Sequence, residues 1–215
     1  AARYGAAATC TSAAELCADP AVDAVLVATD ETRHLEPALA AIAAGKPVLV
    51  EKPLASTVAD ALAIAQAALQ HGTLLMPGHI VRFEPRFSTL QRQIAAGNLG
   101  QIAAIHAQRN RPRATQETYG RCHPALVTAI HDIDAALWMM NDLPVAVTGH
   151  QRLDPGSDGV YGVWGQFRFA SGALLNVEAT WMMPNDTGLD CADHLAVTGT
   201  RGSASIDLAA PSLRI

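Results

Sequence analysis

The sequence predicts an α/β protein in two parts: a partial, doubly wound parallel sheet, followed by an α+β domain with a large, mostly antiparallel sheet. Three observations carry this. Strand, helix, strand, helix and strand patterns alternate within about sixty residues, as in a parallel sheet with helical crossovers. The pattern changes after Gly78, and from Pro144 onward only strands and turns follow one another. The expected division is therefore 1–78 and 79–215.

Val22–Ala28 is a short, β-branched apolar run of the kind buried in a parallel sheet. Leu35, Leu39 and Ile42 recur at near-helical spacing, and Gly45 stands where a left-handed C-terminal residue belongs. A strand over 47–50 comes next. Thr57-Val58-Ala59-Asp60 reads as a capping box with Asp in place of Glu, opening a helix whose Val58, Leu62, Ala65 and Leu69 share one face. Gly72 closes it, and Leu74-Leu75-Met76 supplies another buried strand. In the second part a short helix over 85–96 ends at Gly97-Asn98-Leu99-Gly100, strand-like alternation runs from Gln101 to Arg109, and a long helix spans 124–140. Strands are expected at 144–151, 159–169, 173–181, 193–199 and 203–208, with Ser171-Gly172 and Thr200-Arg201-Gly202 as hairpin connections.

Half of the 215 residues are hydrophobic and 16% are charged, enough for one substantial core or two modest ones. Each apolar run is interrupted before the roughly 18 to 20 residues that a membrane-spanning helix needs, so no membrane partner is expected. A net charge of -5 with scattered arginines offers no basic stripe for a phosphate backbone, which argues against nucleic acid. Arg109, Arg111 and Arg113 form the densest basic cluster and read as a loop, a solvated edge or an anion contact. Cysteines 10, 17, 122 and 191 have no zinc-like spacing, so no metal and a reducing, cytoplasmic compartment are expected. The opening Ala1-Ala2-Arg3 leaves room for a targeting peptide upstream.

Ligands of doubly wound sheets bind beyond the carboxyl ends of the strands. Both Ala28-Thr29-Asp30-Glu31 and Glu51-Lys52-Pro53 occupy that edge. Only two of the fifteen basic residues are lysines, and one is Lys52, directly after Val48-Leu49-Val50. A partly desolvated lysine can exchange a proton near neutral pH, whereas arginine cannot. On the 124–140 helix, Leu126, Ile130, Ile133, Leu137 and Met140 form one core-facing stripe, and Thr128, His131 and Asp134 form a polar ridge beside it. His131 suits proton transfer there, or is a histidine satisfied by a neighbour such as Asp134. His34 is placed equally well for a cofactor contact and for a helix start. No nucleophile elbow supports a hydrolase. The fingerprint G-x-G-x-x-G is absent from these residues, although the half-sheet otherwise looks Rossmann-like.

Six blocks in order extend these readings: Asp23–Thr29 with His34, Ala44–Ala55, Arg82-Phe83-Glu84-Pro85, Gly97–Gly100, His131-Asp132-Ile133-Asp134 and Thr198–Gly202. Together they resemble the Gfo/Idh/MocA oxidoreductases over about residues 15–208. The resemblance implies an NAD(P)-dependent enzyme that moves a hydride between the nicotinamide and a carbinol carbon of a sugar, cyclitol or related polyol. It places the reacting proton on Lys52 and His131, cofactor contacts on Ala28, Thr29, His34, Glu51, Lys52 and Pro53, and substrate contacts on Arg82, Thr128 and Asp134. Arg109, Trp181 and the loop 110–123 are further specificity candidates. Many members carry Asp four residues before the histidine, where this chain has Val127. That departure puts a carboxylate relay in doubt and gives weight to an alternative, a catalytically silent member that senses a dinucleotide or sugar. Asp30 and Glu31 stand where Pro-Asn is common, and two acidic residues favour NAD slightly over NADP. The glycine-rich strand-turn-helix is expected to lie upstream or to be absent, and the fragment alone is expected to be inactive. An apolar sheet face through Val163, Phe167, Phe169, Leu175 and Val177 predicts a homodimer or homotetramer.

Overall fold

A computed structural model describes residues 2–154, 159–186 and 191–207. The chain divides into two compact units, Ala1–His79 and Ile80–Ile215.

The first unit contains α1 (Ala13–Ala18), β1 (Val25–Val27), α2 (Leu35–Ala43), β2 (Val48–Glu51), α3 (Val58–His71) and β3 (Leu75–Gly78). The strands lie in the order β1-β2-β3, all parallel, with Val25 opposite Val48 and Val48 opposite Leu75. Alternation along the strands turns Val25, Val27, Val48 and Val50 onto Ala38, Ala41 and Ile42 of α2 and Ile64 and Ala68 of α3. Thr57 accepts a hydrogen bond from the Asp60 N–H, and Gly72 ends α3 in the left-handed region at φ 62°.

Two expectations fail in this unit. The α3 face read as a packing face is turned outward, with Val58, Leu62 and Leu69 exposed. The buried face instead runs through Ile64 and Ala68, flanked by Ala61 and Ala67. Small side chains let the helix sit close against the sheet, and closer backbone packing leaves no room for the larger residues. Nor is the third strand fully buried. Leu74 is exposed, and Met76 and Leu26 lie on the strand face turned away from α2 and α3.

The second unit carries α4 (Pro85–Ala95), β4 (Ile102–Pro112), α5 (Thr115–Tyr119), a π-helical turn (Ala125–Ala129), α6 (Ile130–Met140), β5 (Pro144–Leu153), β6 (Val160–Phe169), β7 (Leu174–Met183), β8 (Ala192–Gly199) and β9 (Ser203–Asp207). Residue 208, the expected end of β9, lies outside the described residues. The sheet order is β5-β6-β7-β4-β8-β9. Every pairing is antiparallel except β4 with β7, which is parallel. Ile105, Ala107, Val163, Phe169, Leu175, Val177, Leu195 and Val197 form one face, packed with Phe87 and Leu90 of α4 and Ala135, Ala136 and Met139 of α6. Burying a side chain of the Val, Leu or Phe class stabilises by about 1.5 to 3 kcal/mol, so this layer dominates the unit's stability.

This placement corrects the expected exposed apolar patch: Val163, Phe169, Leu175 and Val177 are buried beneath the helices, and Phe167 packs against the same core. The opposite face of the sheet is polar, carrying Gln108, Trp164, Gln166, Asn176, Glu178 and His194 around a groove of about 540 Å³.

Two of the motifs quoted above form a structural lock. The Thr200 N–H donates to the Gln101 carbonyl at 2.9 Å, the Arg201 N–H to the Leu99 carbonyl at 2.9 Å, and the Gln101 N–H to the Thr200 hydroxyl at 3.0 Å. A Cβ at Gly199 would collide with the Leu99 carbonyl oxygen, so the close approach of the two segments requires glycine there.

Candidate functional site

In the first unit the candidate residues gather at the carboxyl ends of β1 and β2. Ala28, Thr29 and Asp30 follow β1 and are exposed, while Glu51 and Lys52, at the end of β2, are half-buried. The Lys52–Pro53 peptide is cis. The Lys52 N–H donates to the Glu51 carboxylate at 3.1 Å, and the Thr29 hydroxyl donates to the Arg33 carbonyl at 3.2 Å. Glu31 is buried, which leaves Asp30 as the exposed member of that acidic pair.

The sequence reading allows His34 a cofactor contact; the structure gives it a different task. Its ring is 1% exposed, with Nδ1 2.8 Å from the Pro53 carbonyl and Nε2 3.2 Å from the Thr29 carbonyl. His34 therefore ties the two ligand-edge loops together from beneath and offers no accessible edge to a ligand. Pro53 is likewise buried, and its carbonyl serves His34.

The two lysines differ in how they are used. The Lys46 ammonium donates to the carbonyls of Asp19 and Val22, which makes it a structural tie between the end of α1 and the start of β2. Lys52 stands at the carboxyl end of β2, the edge beyond which open α/β sheets bind ligands. A glycine-rich turn for the pyrophosphate is not among these 215 residues.

In the second unit His131 lies in the first turn of α6, directly after the π turn. The expected ridge resolves into two separate tethers, one on either side of it. Thr128 is 5% exposed, and its hydroxyl accepts a hydrogen bond at 2.9 Å from the indole N–H of the fully buried Trp181. Both residues are packing anchors, which corrects their assignment as substrate or specificity contacts. Asp134 is held by Arg82 through a fork, Nε to Oδ2 at 2.8 Å and Nη2 to Oδ1 at 2.6 Å. This bond holds the Arg82 guanidinium above its ordinary pKa. Arg82 also lies over the Trp138 ring at 5.7 Å, and its side chain remains 40% exposed. Of the expected substrate contacts, the Arg82–Asp134 pair is the one with a solvent-facing edge. Val127 packs with Cys122 and Trp181, so that position faces an apolar cluster.

The expected stripe on α6 is also displaced. Asp132, Asp134, Ala135, Ala136 and Met139 are the buried positions, whereas Leu126, Ile130, Ile133, Leu137 and Met140 are only partly covered. A π turn holds more than 3.6 residues, so a stripe projected from Leu126 through it loses register.

Missed by the sequence reading is a buried ion network on the core face of the sheet. Arg109 is not in a loop but in β4, 6% exposed. It bonds Asp132 of α6 through Nε and Nη2, both at 2.8 Å, and Asp193 of β8 through Nη1 at 2.9 Å. Arg111 binds the other side of Asp193. Burial works against the Arg109 charge, but the two carboxylates outweigh it and hold its pKa above the ordinary value. Arg113 lies 3.7 Å from Asp154 and over the Tyr161 ring.

The polar face carries a second network. The Glu178 carboxylate accepts from Gln108 at 2.7 Å, Asn110 at 3.0 Å and the Trp164 indole at 3.0 Å. Burial acts to raise this carboxyl, but the three donors prevail and hold it below the usual range.

Comparison with known proteins agrees with this architecture. Residues 1–79 match the oxidoreductase family described as having an NAD-binding Rossmann fold, and residues 87–205 match the GFO/IDH/MocA C-terminal domain. Inositol 2-dehydrogenase 1 of Saccharopolyspora erythraea is 36% identical over 138 residues, covering 64% of this chain and 41% of that protein. The 1,5-anhydro-D-fructose reductase of Ensifer adhaerens is 36% identical over 203 residues, covering 90% of this chain and 59% of that protein. The chain thus spans about two-fifths to three-fifths of the length of these relatives. Among solved structures, GenD2 from gentamicin A biosynthesis, in complex with NAD, superposes with a TM-score of 0.83 at 28% identity, covering 96% of this chain and 60% of that one. Levoglucosan dehydrogenase in complex with NADH and L-sorbose superposes with a TM-score of 0.79 at 25% identity, covering 90% and 56%. The chain belongs to the Gfo/Idh/MocA family of oxidoreductases.

Proposed function

We propose that the protein is an NAD(P)-dependent oxidoreductase acting on a carbinol carbon of a sugar, cyclitol or related polyol, with Lys52 and His131 as its proton-transfer groups. The observation that carries this reading is Lys52. It is one of only two lysines in the chain, and as a half-buried residue it stands at the carboxyl end of β2, in the unit matched to an NAD-binding Rossmann fold. Names of relatives point the same way, since they are inositol dehydrogenases and an anhydrofructose reductase.

A nicotinamide held by the first unit would supply hydride acceptance or donation. The Lys52 ammonium donates a hydrogen bond to the hydroxyl oxygen and stabilises the negative charge that develops there as the C–H bond breaks. The His131 imidazole takes the hydroxyl proton in oxidation and returns it in reduction. Arg82 and Asp134 present a donor and an acceptor suited to neighbouring hydroxyls of a polyol. Asp30, exposed beside the ligand edge, disfavours an added phosphate, so NAD is favoured over NADP. A homodimer or homotetramer through the large sheet stays a proposal without the exposed apolar patch that motivated it, since that face is buried.

The test is nicotinamide turnover by the full-length protein across a panel of sugars, inositols and anhydrosugars. Turnover that is abolished by Lys52→Ala supports the assignment. Binding of a dinucleotide or polyol with no turnover on any member of the panel would favour a sensor instead.

A further inference from the structure

We infer that Arg109 is a positioning residue for His131, acting through Asp132 to fix the rotation of α6. This rests on the assignment of His131 to proton transfer. The first turn of α6 follows a π turn, Ala125–Ala129. Such a turn carries extra chain that can move along a helix, and each residue of slip rotates the side chains beyond it by about 100°. A histidine one residue past the junction is therefore the group most exposed to a register change. Something must hold the helix on its far side.

The buried ion network does so. Asp132 follows His131 directly and is 2% exposed. Both of its oxygens accept from one guanidinium, that of Arg109, whose planar fork permits a single orientation of the carboxylate. Arg109 is itself set by its third bond, to Asp193 on the neighbouring strand, directly opposite in register. On the near side of the histidine, Thr128 is bonded to Trp181 of β7. Residues 128 and 132 are one helical turn apart and point at the sheet, so His131 is gripped between a tether three residues before it and one immediately after it. The hydroxyl–indole bond is neutral and single; the Arg109–Asp132 bond is charged and bidentate, and it governs the angle.

The network is a four-charge cluster of two arginines and two aspartates, which permits a control inside the same structure. Arg109→Lys keeps the charge but replaces the fork by a point donor. Arg111→Lys makes the same chemical change at Asp193 and leaves both Asp132 bonds in place. The experiment follows the His131 imidazole resonance, assigned with His131→Gln, together with amide exchange at residues 130–133, in the 215-residue chain. We expect Arg109→Lys to shift or split the His131 ring signal and to raise exchange at 130–133 by about tenfold or more, with Arg111→Lys near wild type. If Arg109→Lys does not fold, Asp132→Asn, which keeps the side-chain shape and one acceptor, carries the same expectation. An unchanged His131 signal and unchanged exchange in the Arg109 or Asp132 variant, or equal effects from Arg111→Lys, would overturn the inference. The proton-transfer assignment fails separately: His131→Gln that leaves turnover of the full-length protein intact removes the chemistry but not the positioning.

Discussion

Replacing Arg109 by Met tests how much the buried ion network contributes to stability. Arg109, Asp132 and Asp193 are 6%, 2% and 5% exposed, so none of the three is well hydrated. Removing Arg109 leaves Asp193 with Arg111 but takes both Arg109 hydrogen bonds from Asp132. Breaking a buried pair in this way costs about 3 to 5 kcal/mol, a large share of the roughly 5 to 15 kcal/mol that holds a domain together. For a unit of this size that corresponds to a drop in Tm of roughly 6 to 20 °C. Asp132→Leu alone should cost less, because Arg109 keeps Asp193. The double variant Arg109→Met/Asp132→Leu removes both charges and should lie within about 2 kcal/mol of wild type. Urea unfolding followed by tryptophan fluorescence gives the four free energies of the cycle. A coupling energy below about 0.5 kcal/mol, or additive losses, would refute the claim that the two side chains depend on each other.

Other outcomes follow from the same geometry. Thr128→Val removes the acceptor of the buried Trp181 indole N–H and should destabilise by about 1 to 3 kcal/mol, measured by the same unfolding curves. Gly199→Ala forces a methyl group into the Leu99 carbonyl and should lower Tm, while Gly172→Ala, with open space around it but φ 87°, reports backbone strain alone. Glu178 has a folded pKa below its ordinary value of 4.5, so its contribution to stability is present above that value and is lost as pH falls through the lower folded pKa. Glu178→Gln should flatten the acid limb of a Tm-against-pH profile in that window, and an unchanged limb would show that the carboxylate contributes nothing.

What the sequence revealed was governed by short-range chemistry. The Thr57 cap, Gly72 and the hairpins at Ser171-Gly172 and Thr200–Gly202 depend on residues within a few positions of one another, and those elements formed as read. Lys52 was legible for a similar reason: strand, edge and lysine are adjacent in the chain. Helix facing was not legible where alanine is abundant, because Ala61, Ala67, Ala68, Ala135 and Ala136 look neutral in a hydrophobic pattern yet allow the closest approach to a sheet. The π turn has no residue signature, and it moved every position projected through it. Arg109 and Arg111 continue the inward alternation of Ile105 and Ala107 along one strand, a signal that was present. Charges on a core face make sense only once their partners are known, and Asp132 and Asp193 lie 23 and 84 residues away. Their meaning became visible when the strands were paired.

The most direct test of the functional account is stopped-flow measurement of NADH formation by the full-length protein with inositols and anhydrosugars, comparing wild type with Lys52→Ala and His131→Ala. Nicotinamide reduction that falls by about a hundredfold or more in each variant, with the fold intact by circular dichroism, is the predicted result. Reduction at wild-type rates without the Lys52 ammonium would contradict it.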